Sequence, residues 1–152
     1  EVWRHLSLPD KAASVHLVEF PAVRTECLDE TLADEWERLL EVRDEVLRGL
    51  EAARKEKRIG SAQEAAVELV VPEASFDFLT ARRTDLETIC IVSRVTLRRG
   101  SGTGADSAVT VRVERAPGVK CPRCWNYRED VGSSGAHPDL CGRCADVLEG
   151  RE

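Results

Sequence analysis

The chain has 152 residues, with 22 Lys and Arg against 28 Asp and Glu, so its formal net charge is −6. Apolar residues make up 42% of the sequence and charged residues 33%, which is typical of a globular protein and excludes a disordered chain. No apolar run approaches the roughly 20 residues of a membrane span, and no signal-type leader opens the sequence, so we expect a cytoplasmic protein without a membrane partner. The absence of methionine predicts a piece of a longer protein, whose catalytic centre lies elsewhere.

The excess of acidic residues is confined to the first third of the sequence. Residues 1–50 carry 12 acids and 6 bases, residues 51–110 carry 9 of each, and residues 111–152 carry 7 of each. The negative total therefore does not exclude a nucleic-acid partner, provided that bases are placed together locally.

The first 28 residues are predicted to form the end of one structural unit, and a weak apolar alternation over residues 14–18 indicates a short extended segment. A long amphipathic helix is predicted next, over residues 29–58, because apolar residues recur there at three- and four-residue spacing. Asp29 and Thr31 are its candidate N-caps, and Gly60 is predicted to end it.

The apolar period changes after this helix. The predicted elements are a strand over residues 67–71, a helix over 76–88, a β-branched strand over 89–97 and a strand over 108–114. Glycine-rich residues 100–107 lack the following helix that a phosphate-binding loop requires, so we predict a hairpin connection there. Residues 116–118 then lead into a cysteine-rich tail.

Four of the six cysteines form two pairs, Cys121 with Cys124 and Cys141 with Cys144. Two residues between cysteines let both sulfurs of a tight turn point at one centre, and two such turns supply the four-thiolate shell of structural zinc. Two disulfides are the alternative, but disulfides belong to oxidising compartments. We therefore predict one structural Zn²⁺ with no coordination position open for catalysis.

The other cysteines and one histidine are predicted to lie outside the metal site. Cys27 and Cys90 stand alone among apolar neighbours, which favours buried thiols over ligands. His137 is predicted to lie in the loop, because four thiolates already close the shell.

Two basic clusters are candidate nucleic-acid contacts. Beside the first cysteine pair, Arg123, Trp125, Tyr127 and Arg128 interleave cations with aromatic rings, a combination that stacks unpaired bases and holds phosphates. The alternative is a structural role, in which Trp125 covers the metal or fills a small core while the bases offset the charge of the thiolates.

The second basic cluster lies at the end of the predicted long helix. It consists of Arg54, Lys55, Lys57 and Arg58. These side chains are candidates for phosphate contacts, and the alternative is a favourable interaction with the negative end of the helix dipole.

Two stretches of the tail carry a family resemblance. Residues 120–127 (Lys-Cys-Pro-Arg-Cys-Trp-Asn-Tyr) and 137–144 (His-Pro-Asp-Leu-Cys-Gly-Arg-Cys) resemble the C-terminal zinc finger of bacterial isoleucyl-tRNA synthetases. Residues 15–21, 35–47 and 51–66 resemble the segment before that finger, so the resemblance covers nearly the whole chain. Formamidopyrimidine-DNA glycosylases end in a similar finger, but the upstream helix, its basic end and the Cys-Trp pair favour the synthetases.

The resemblance implies part of a class I aminoacyl-tRNA synthetase, which joins isoleucine to its tRNA in an ATP-dependent reaction. The family's His-Ile-Gly-His and Lys-Met-Ser-Lys-Ser signatures do not occur in this sequence, so ATP and Mg²⁺ are expected only in the full-length enzyme. The zinc ligands of the family match the four paired cysteines. The implied partners are the anticodon stem-loop of the isoleucine tRNA and the rest of a monomeric synthetase chain; a structural zinc clip that packs on the synthetase body is the alternative.

The predicted fold class is α+β, with a long amphipathic helix, a small α/β unit containing a β-sheet, and a small four-cysteine zinc finger. The resemblance divides the chain into three regions. These are residues 1–27, the end of a helical anticodon-binding domain; 28–115, an α/β junction domain; and 116–152, the finger.

Overall fold

A computed structural model describes residues 1–100 and 109–151. The chain divides into two compact units, Glu1–Ala33 and Asp34–Glu152. No helix within the described residues is both long and apolar enough to cross a membrane.

The first unit contains little regular structure and exposes many of its apolar side chains. It holds helix α1 (Val2–His5) and the 3₁₀ turns Val15–Leu17 and Thr25–Cys27. The prediction of an extended segment over residues 14–18 is therefore wrong, because the Ser14 side chain accepts a hydrogen bond from the His16 backbone N–H and so caps the first of these turns. Cys27 is exposed, which contradicts its predicted burial.

The long amphipathic helix is confirmed as α2, Glu30–Lys55. Asp29 is its N-cap, because the Leu32 N–H donates to the Asp29 carboxylate at 2.9 Å. The helix ends before the predicted Gly60: Lys57 takes a left-handed φ of 58°, and its N–H donates to the Arg54 carbonyl. The next N–H, that of residue 58, reaches the residue 53 carbonyl, so the terminus is a Schellman motif with lysine where glycine is usual.

A three-stranded sheet forms the centre of the second unit, in the order β2-β1-β3. Strand β1 (Ala65–Val71) pairs in parallel with β2 (Arg94–Arg99) and antiparallel with β3 (Thr110–Arg115). Alternate side chains of β1 are buried, as expected when one face of a sheet packs on a core. Helices α3 (Glu73–Ala81) and α4 (Arg83–Cys90) make the crossover that the parallel pair requires.

The core lies between α2, the crossover helices and the sheet. Its largest fully buried side chains outside the tail are Leu39, Leu50, Leu69, Leu79, Leu86, Val46, Val67, Val71, Val92, Val95 and Cys90. The predicted burial of Cys90 is confirmed, and this burial raises the pKa of its thiol to about 11 against a smaller opposing effect of Arg43.

Three predictions for the sheet region need correction. The single helix over residues 76–88 is two helices, which meet at Arg82. The strand over residues 89–97 begins only at Arg94, because the first residues finish α4 and Ile91 takes a left-handed φ of 55°. Strands β2 and β3 flank β1 rather than each other, so they do not form a hairpin; residues 101–108 of their connection lie outside the described residues.

The cysteine-rich tail forms a small α+β element and confirms the predicted fold class. Strands β4 (Val119–Lys120) and β5 (Tyr127–Arg128) pair antiparallel around the first cysteine turn, and helix α5 (Gly142–Leu148) carries the last cysteine. Gly118, with a φ of 92°, enters this hairpin so closely that an added Cβ would lie 2.3 Å from the Arg128 carbonyl oxygen. Any side chain at this position would clash with backbone.

Candidate metal centre and nucleic-acid interface

The four paired cysteines converge on one point, with their Sγ atoms all within 4.8 Å of one another. The Sγ atoms of Cys124 and Cys141 are 3.8 Å apart. All four are free thiols, so the disulfide alternative does not match the structure. No other group of three or more His, Cys, Asp or Glu side chains converges in this way within residues 1–100 and 109–151.

Two tight turns present these sulfurs. In the first, the Trp125 N–H donates to the Cys121 carbonyl at 2.8 Å, and the Cys121 N–H donates to the Asn126 carbonyl at 2.9 Å. In the second, Cys141 is the N-cap of α5. The Cys141 N–H points at the Cys121 sulfur, at 3.5 Å, so backbone from one turn supports the ligand of the other.

Backbone donors lower the pKa of the Cys121 thiol. Burial raises the pKa of its thiol, but N–H groups of Cys124, Cys141 and Arg123 outweigh burial and lower the pKa to about 6. Burial dominates at the other two shifted sites: it raises the pKa of Cys141 to about 12 and also raises that of Cys124.

The donor set fits zinc. Four thiolates about 2.3 Å from a tetrahedral Zn²⁺ lie about 3.8 Å from one another, which is the separation of the Cys124 and Cys141 sulfurs. Thiolates suit zinc, whereas Mg²⁺ and Ca²⁺ prefer oxygen ligands. Cys121, Cys141 and Cys144 are at most 2% exposed, Val131 and Leu140 pack against them, and Cys124 is half-buried. His137 lies in the loop before the second pair, outside the four-sulfur group.

Trp125 lies on the surface of the finger rather than in a core. It is 58% exposed and takes a positive φ of 67°, which is rare for a large side chain. Its indole N–H donates to the Pro122 carbonyl at 3.1 Å, and the Lys120 ammonium lies 5.6 Å from the ring centroid. Arg123 is exposed on the same turn. The exposed aromatic ring thus lies beside the Lys120 ammonium, and a second exposed cation belongs to the same turn.

Tyr127 and Arg128 occupy a different environment. Both are half-buried on β5. The Arg128 guanidinium lies 3.8 Å from the carboxylate of Glu87 on α4, and the Tyr127 N–H donates to the Ser93 hydroxyl. The structure therefore brings the Arg128 side chain and the Tyr127 backbone against the α/β part of the same unit, whereas the Trp125 side chain is exposed.

The basic residues at the end of α2 also differ in their surroundings: the arginines are paired, and the lysines are exposed. Arg54 pairs with Glu51 at 2.5 Å, and Arg58 pairs with Glu56 at 2.7 Å and also donates to the Val113 carbonyl. The two lysines, Lys55 and Lys57, are exposed, and neither forms an ion pair with another residue in the described part of the chain.

Sequence reasoning missed the side chains that join the finger to the sheet. Ser93, Gln63 and Glu87 all contact the tail. The one signal in the sequence is that Ser93 interrupts an apolar, β-branched run; no periodicity indicates the other two.

Comparison with known proteins gives one match to the tail alone and others to nearly the whole chain. Residues 118–147 match the family model described as "Zinc finger found in FPG and IleRS". Isoleucine–tRNA ligases of Moorella thermoacetica and Desulforudis audaxviator are each 43% identical to the chain, and that of Geobacter sulfurreducens is 41% identical. The alignments cover 98%, 99% and 98% of this chain, respectively, and 17% of each relative.

The chain is homologous to the C-terminal region of these ligases. It spans about a sixth of the length of the relatives it matches, which are class I aminoacyl-tRNA synthetases. The match over nearly the whole chain favours the ligases over the glycosylases that share the finger. The four-cysteine cluster of the structure lies within the residues that match the zinc-finger family.

Proposed function

We propose that the chain is the tRNA-binding C-terminal region of an isoleucine–tRNA ligase, and that its finger contacts the anticodon stem-loop. The observation that carries this proposal is the exposed Trp125 ring beside Lys120, on a cysteine turn that also exposes Arg123. An exposed aromatic face next to cations suits an unstacked base and its phosphate.

In this proposal Cys121, Cys124, Cys141 and Cys144 hold one Zn²⁺, which supplies a structural cross-link when bound. The four thiols release protons on binding the metal, and backbone N–H groups around Cys121 stabilise the resulting charge. The chain's own contribution is to orient the two turns so that the Trp125 ring faces outwards.

The exposed bases are the phosphate contacts in this proposal. Arg123 lies on the finger and Lys55 and Lys57 at the end of α2, where no carboxylate of the described residues neutralises either lysine. Arg54 and Arg58 are held by Glu51 and Glu56 and contribute less.

We assign Tyr127 and Arg128 to the interface with the α/β part rather than to RNA. Both side chains are half-buried, Arg128 lies beside Glu87, and the Tyr127 backbone is bonded to Ser93, whereas a base or phosphate contact requires a free side chain.

The proposal keeps three regions, with residues 1–27 completing an anticodon-binding helical domain, 28–115 forming a junction and 116–152 the finger. Activation of isoleucine with ATP and Mg²⁺ belongs to the part of a full-length ligase outside this region. Anticodon binding contributes to amino-acid transfer by orienting the tRNA, so its loss slows the transfer step while activation is retained. A cytoplasmic monomer fits this role, because free thiols at a metal site require a reducing compartment.

A packing role for the first unit, rather than for the zinc finger, is the second candidate. Apolar side chains of the first unit are unusually exposed, with Phe20 at 99% and Val23 at 77%, which suits packing against the rest of a ligase. The two functions are compatible, since this exposure lies in residues 1–33 and the aromatic platform lies in the finger.

Salt-dependent binding distinguishes the RNA function from a clip. The zinc-loaded chain is titrated with the fluorescently labelled anticodon stem-loop of the isoleucine tRNA at two salt concentrations. The double variant Lys55→Gln/Lys57→Gln is compared with Arg151→Gln, which removes an exposed base that is paired with Asp146 and Glu149.

Each lost phosphate contact reduces the slope of log K against log salt by about 1, so we expect a reduction of up to about 2 for the lysine variant. The arginine control is expected to bind like the unmodified chain. Absence of binding at low salt, or equal slopes for all three proteins, contradicts the proposed RNA contacts.

A further inference from the structure

Ser93 joins the finger to the α/β part through a fully buried hydroxyl. The residue is 0% exposed and lies one position before β2. Its Oγ donates to the Gln63 carbonyl at 2.5 Å and accepts the backbone N–H of Tyr127 at 2.7 Å. A hydroxyl has a single proton. Ser93 donates this proton to the Gln63 carbonyl of the α/β part, and its oxygen accepts the Tyr127 N–H of the finger.

A second contact lies three residues away on the finger, at Cys124. The side-chain amide of Gln63 donates to the Cys124 carbonyl at 3.4 Å. The finger is thus held at Cys124 and at Tyr127, immediately on either side of the dipeptide that contains Trp125. The exposed ring therefore stands on backbone that is attached to the α/β part as well as to the metal turn.

Two ion pairs flank these hydrogen bonds. Glu87 of α4 has a side chain only 10% exposed, binds Arg83 at 2.6 Å, and lies 3.8 Å from the Arg128 guanidinium. Arg94 of β2 pairs with Glu129 of the finger at 2.6 Å. These ion pairs help to orient β5 on the α/β part. The hydrogen bond from Tyr127 to the buried Ser93 hydroxyl is shielded from water, so its loss leaves the N–H without a partner.

We propose that Ser93 is a positioning residue for the Trp125 platform, so that RNA affinity depends on a side chain that RNA does not touch. The proposal rests on the proposed function for its RNA readout. The structural part of the proposal does not depend on RNA binding. It states that the finger is fixed to the sheet and does not move freely about residues 116–118.

The physical consequence of removing the hydroxyl follows from the geometry. In Ser93→Ala the Tyr127 N–H and the Gln63 carbonyl each lose a buried partner. The four cysteines and their turns are untouched, so metal binding is retained. The finger keeps its own fold but gains freedom relative to the sheet, and each binding event must then restore the orientation of Trp125.

The test measures the contact and its effect on RNA in the same zinc-loaded chain of 152 residues. Amide exchange at Tyr127 reports the hydrogen bond directly. We expect exchange to be on the order of tenfold faster in Ser93→Ala, as for the loss of about one hydrogen bond. Ser133→Ala is the matched control, because Ser133 is an exposed serine of the same finger. If Tyr127 exchange is unchanged in Ser93→Ala, the proposal is overturned.

A double-mutant cycle with Trp125→Ala distinguishes positioning from general destabilisation. We expect Ser93→Ala to weaken stem-loop binding several-fold in the unmodified chain and to have no further effect when Trp125 is already alanine. An equal loss in both backgrounds overturns the proposal, because it shows that Ser93 does not act through Trp125.

Two further measurements cover the cases in which Ser93→Ala does not fold or the chain binds no RNA. If Ser93→Ala does not fold, Gln63→Ala replaces it in the same cycle, since it removes only the side-chain contact to the Cys124 carbonyl. If the unmodified chain binds no stem-loop, the proposed function fails; faster Tyr127 exchange in Ser93→Ala then still supports the attachment of the finger, and unchanged exchange refutes it.

Discussion

Replacing Trp125 with glycine separates a binding role from a core role. The ring is 58% exposed, so little apolar burial is lost. Glycine relieves the left-handed φ of 67°, a gain of about 1–2 kcal/mol. The greater flexibility of glycine lowers stability by about 0.5–1 kcal/mol. Loss of the hydrogen bond to Pro122 and of the Lys120 contact lowers it by about 1–2 kcal/mol. The net change in the free energy of unfolding therefore lies between a gain of about 0.5 and a loss of about 2 kcal/mol, below the cost of truncating a core tryptophan.

The effect of Trp125→Gly on RNA binding is expected to be much larger. Stacking of a base on an aromatic side chain contributes about 1–3 kcal/mol, which corresponds to a loss of affinity of about 5- to 150-fold. Urea unfolding of the zinc-loaded chain gives the stability, and fluorescence anisotropy with the labelled anticodon stem-loop gives the dissociation constant. Val119→Ala, at another exposed apolar residue of the finger, is the control and should change neither quantity.

The opposite pattern would refute this reasoning. A buried tryptophan that filled the small core of the finger would cost about 3–5 kcal/mol on truncation. If Trp125→Gly destabilises the chain by that amount, or lowers its zinc content while RNA affinity per folded molecule is unchanged, the ring is a structural element and not a base platform.

Three other perturbations test the fold and the metal site. Leu69→Ala should lower the free energy of unfolding by about 2–5 kcal/mol in urea titration, because Leu69 is 0% exposed in the central strand; a loss below about 1 kcal/mol would contradict this core. Ile91→Gly should raise the melting temperature, since a β-branched residue with a φ of 55° is strained by about 1–2 kcal/mol and its side chain is 60% exposed; a lower melting temperature would show that the exposed side chain has a partner. Apparent zinc affinity should fall as pH decreases from 8 to about 6, because protons compete for the thiolates and the raised pKa values of Cys124 and Cys141 keep both protonated without metal. Calorimetry in buffers of different ionisation enthalpy should therefore show protons released on binding, and binding independent of pH with no proton release would exclude thiolate ligands.

The sequence predicts most reliably the helices and strands whose buried side chains recur at a constant spacing. Helix α2 buries Leu39, Val46 and Leu50 along one stripe, and β1 buries every second residue, so both patterns are visible without tertiary information. The metal cluster is visible for a similar reason, because the two-residue spacing within each cysteine pair is itself the geometry of the turn.

The errors arise where contacts between distant residues override local preference. The break between α3 and α4 lies at Arg82, whose side chain bonds to Glu35 on α2, a residue far away in sequence. Ile91 favours a strand by its branching, yet it adopts the left-handed turn that ends α4. The sheet order is equally non-local: β-strands with a glycine-rich connection predict a hairpin, whereas β1 lies between them.

The candidate RNA contacts show the same limit. Composition places Trp125, Tyr127 and Arg128 together as one aromatic and basic cluster. Only the structure shows that the first is exposed, that the Tyr127 backbone is bonded to Ser93, and that the Arg128 guanidinium lies beside Glu87. Proximity in sequence does not determine which side chains a turn exposes, so a motif alone does not separate surface residues from interface residues.

Binding of the zinc-loaded chain to matched RNA hairpins tests the central claim most directly. The dissociation constant for the anticodon stem-loop of the isoleucine tRNA is measured at about 0.15 M salt, where non-specific phosphate attraction is reduced, beside a stem-loop of equal length with a different anticodon. Tighter binding of the isoleucine stem-loop, which is lost in Trp125→Gly, is the predicted result. Equal affinity for both hairpins, or no binding to either, would contradict the assignment of the finger to anticodon recognition.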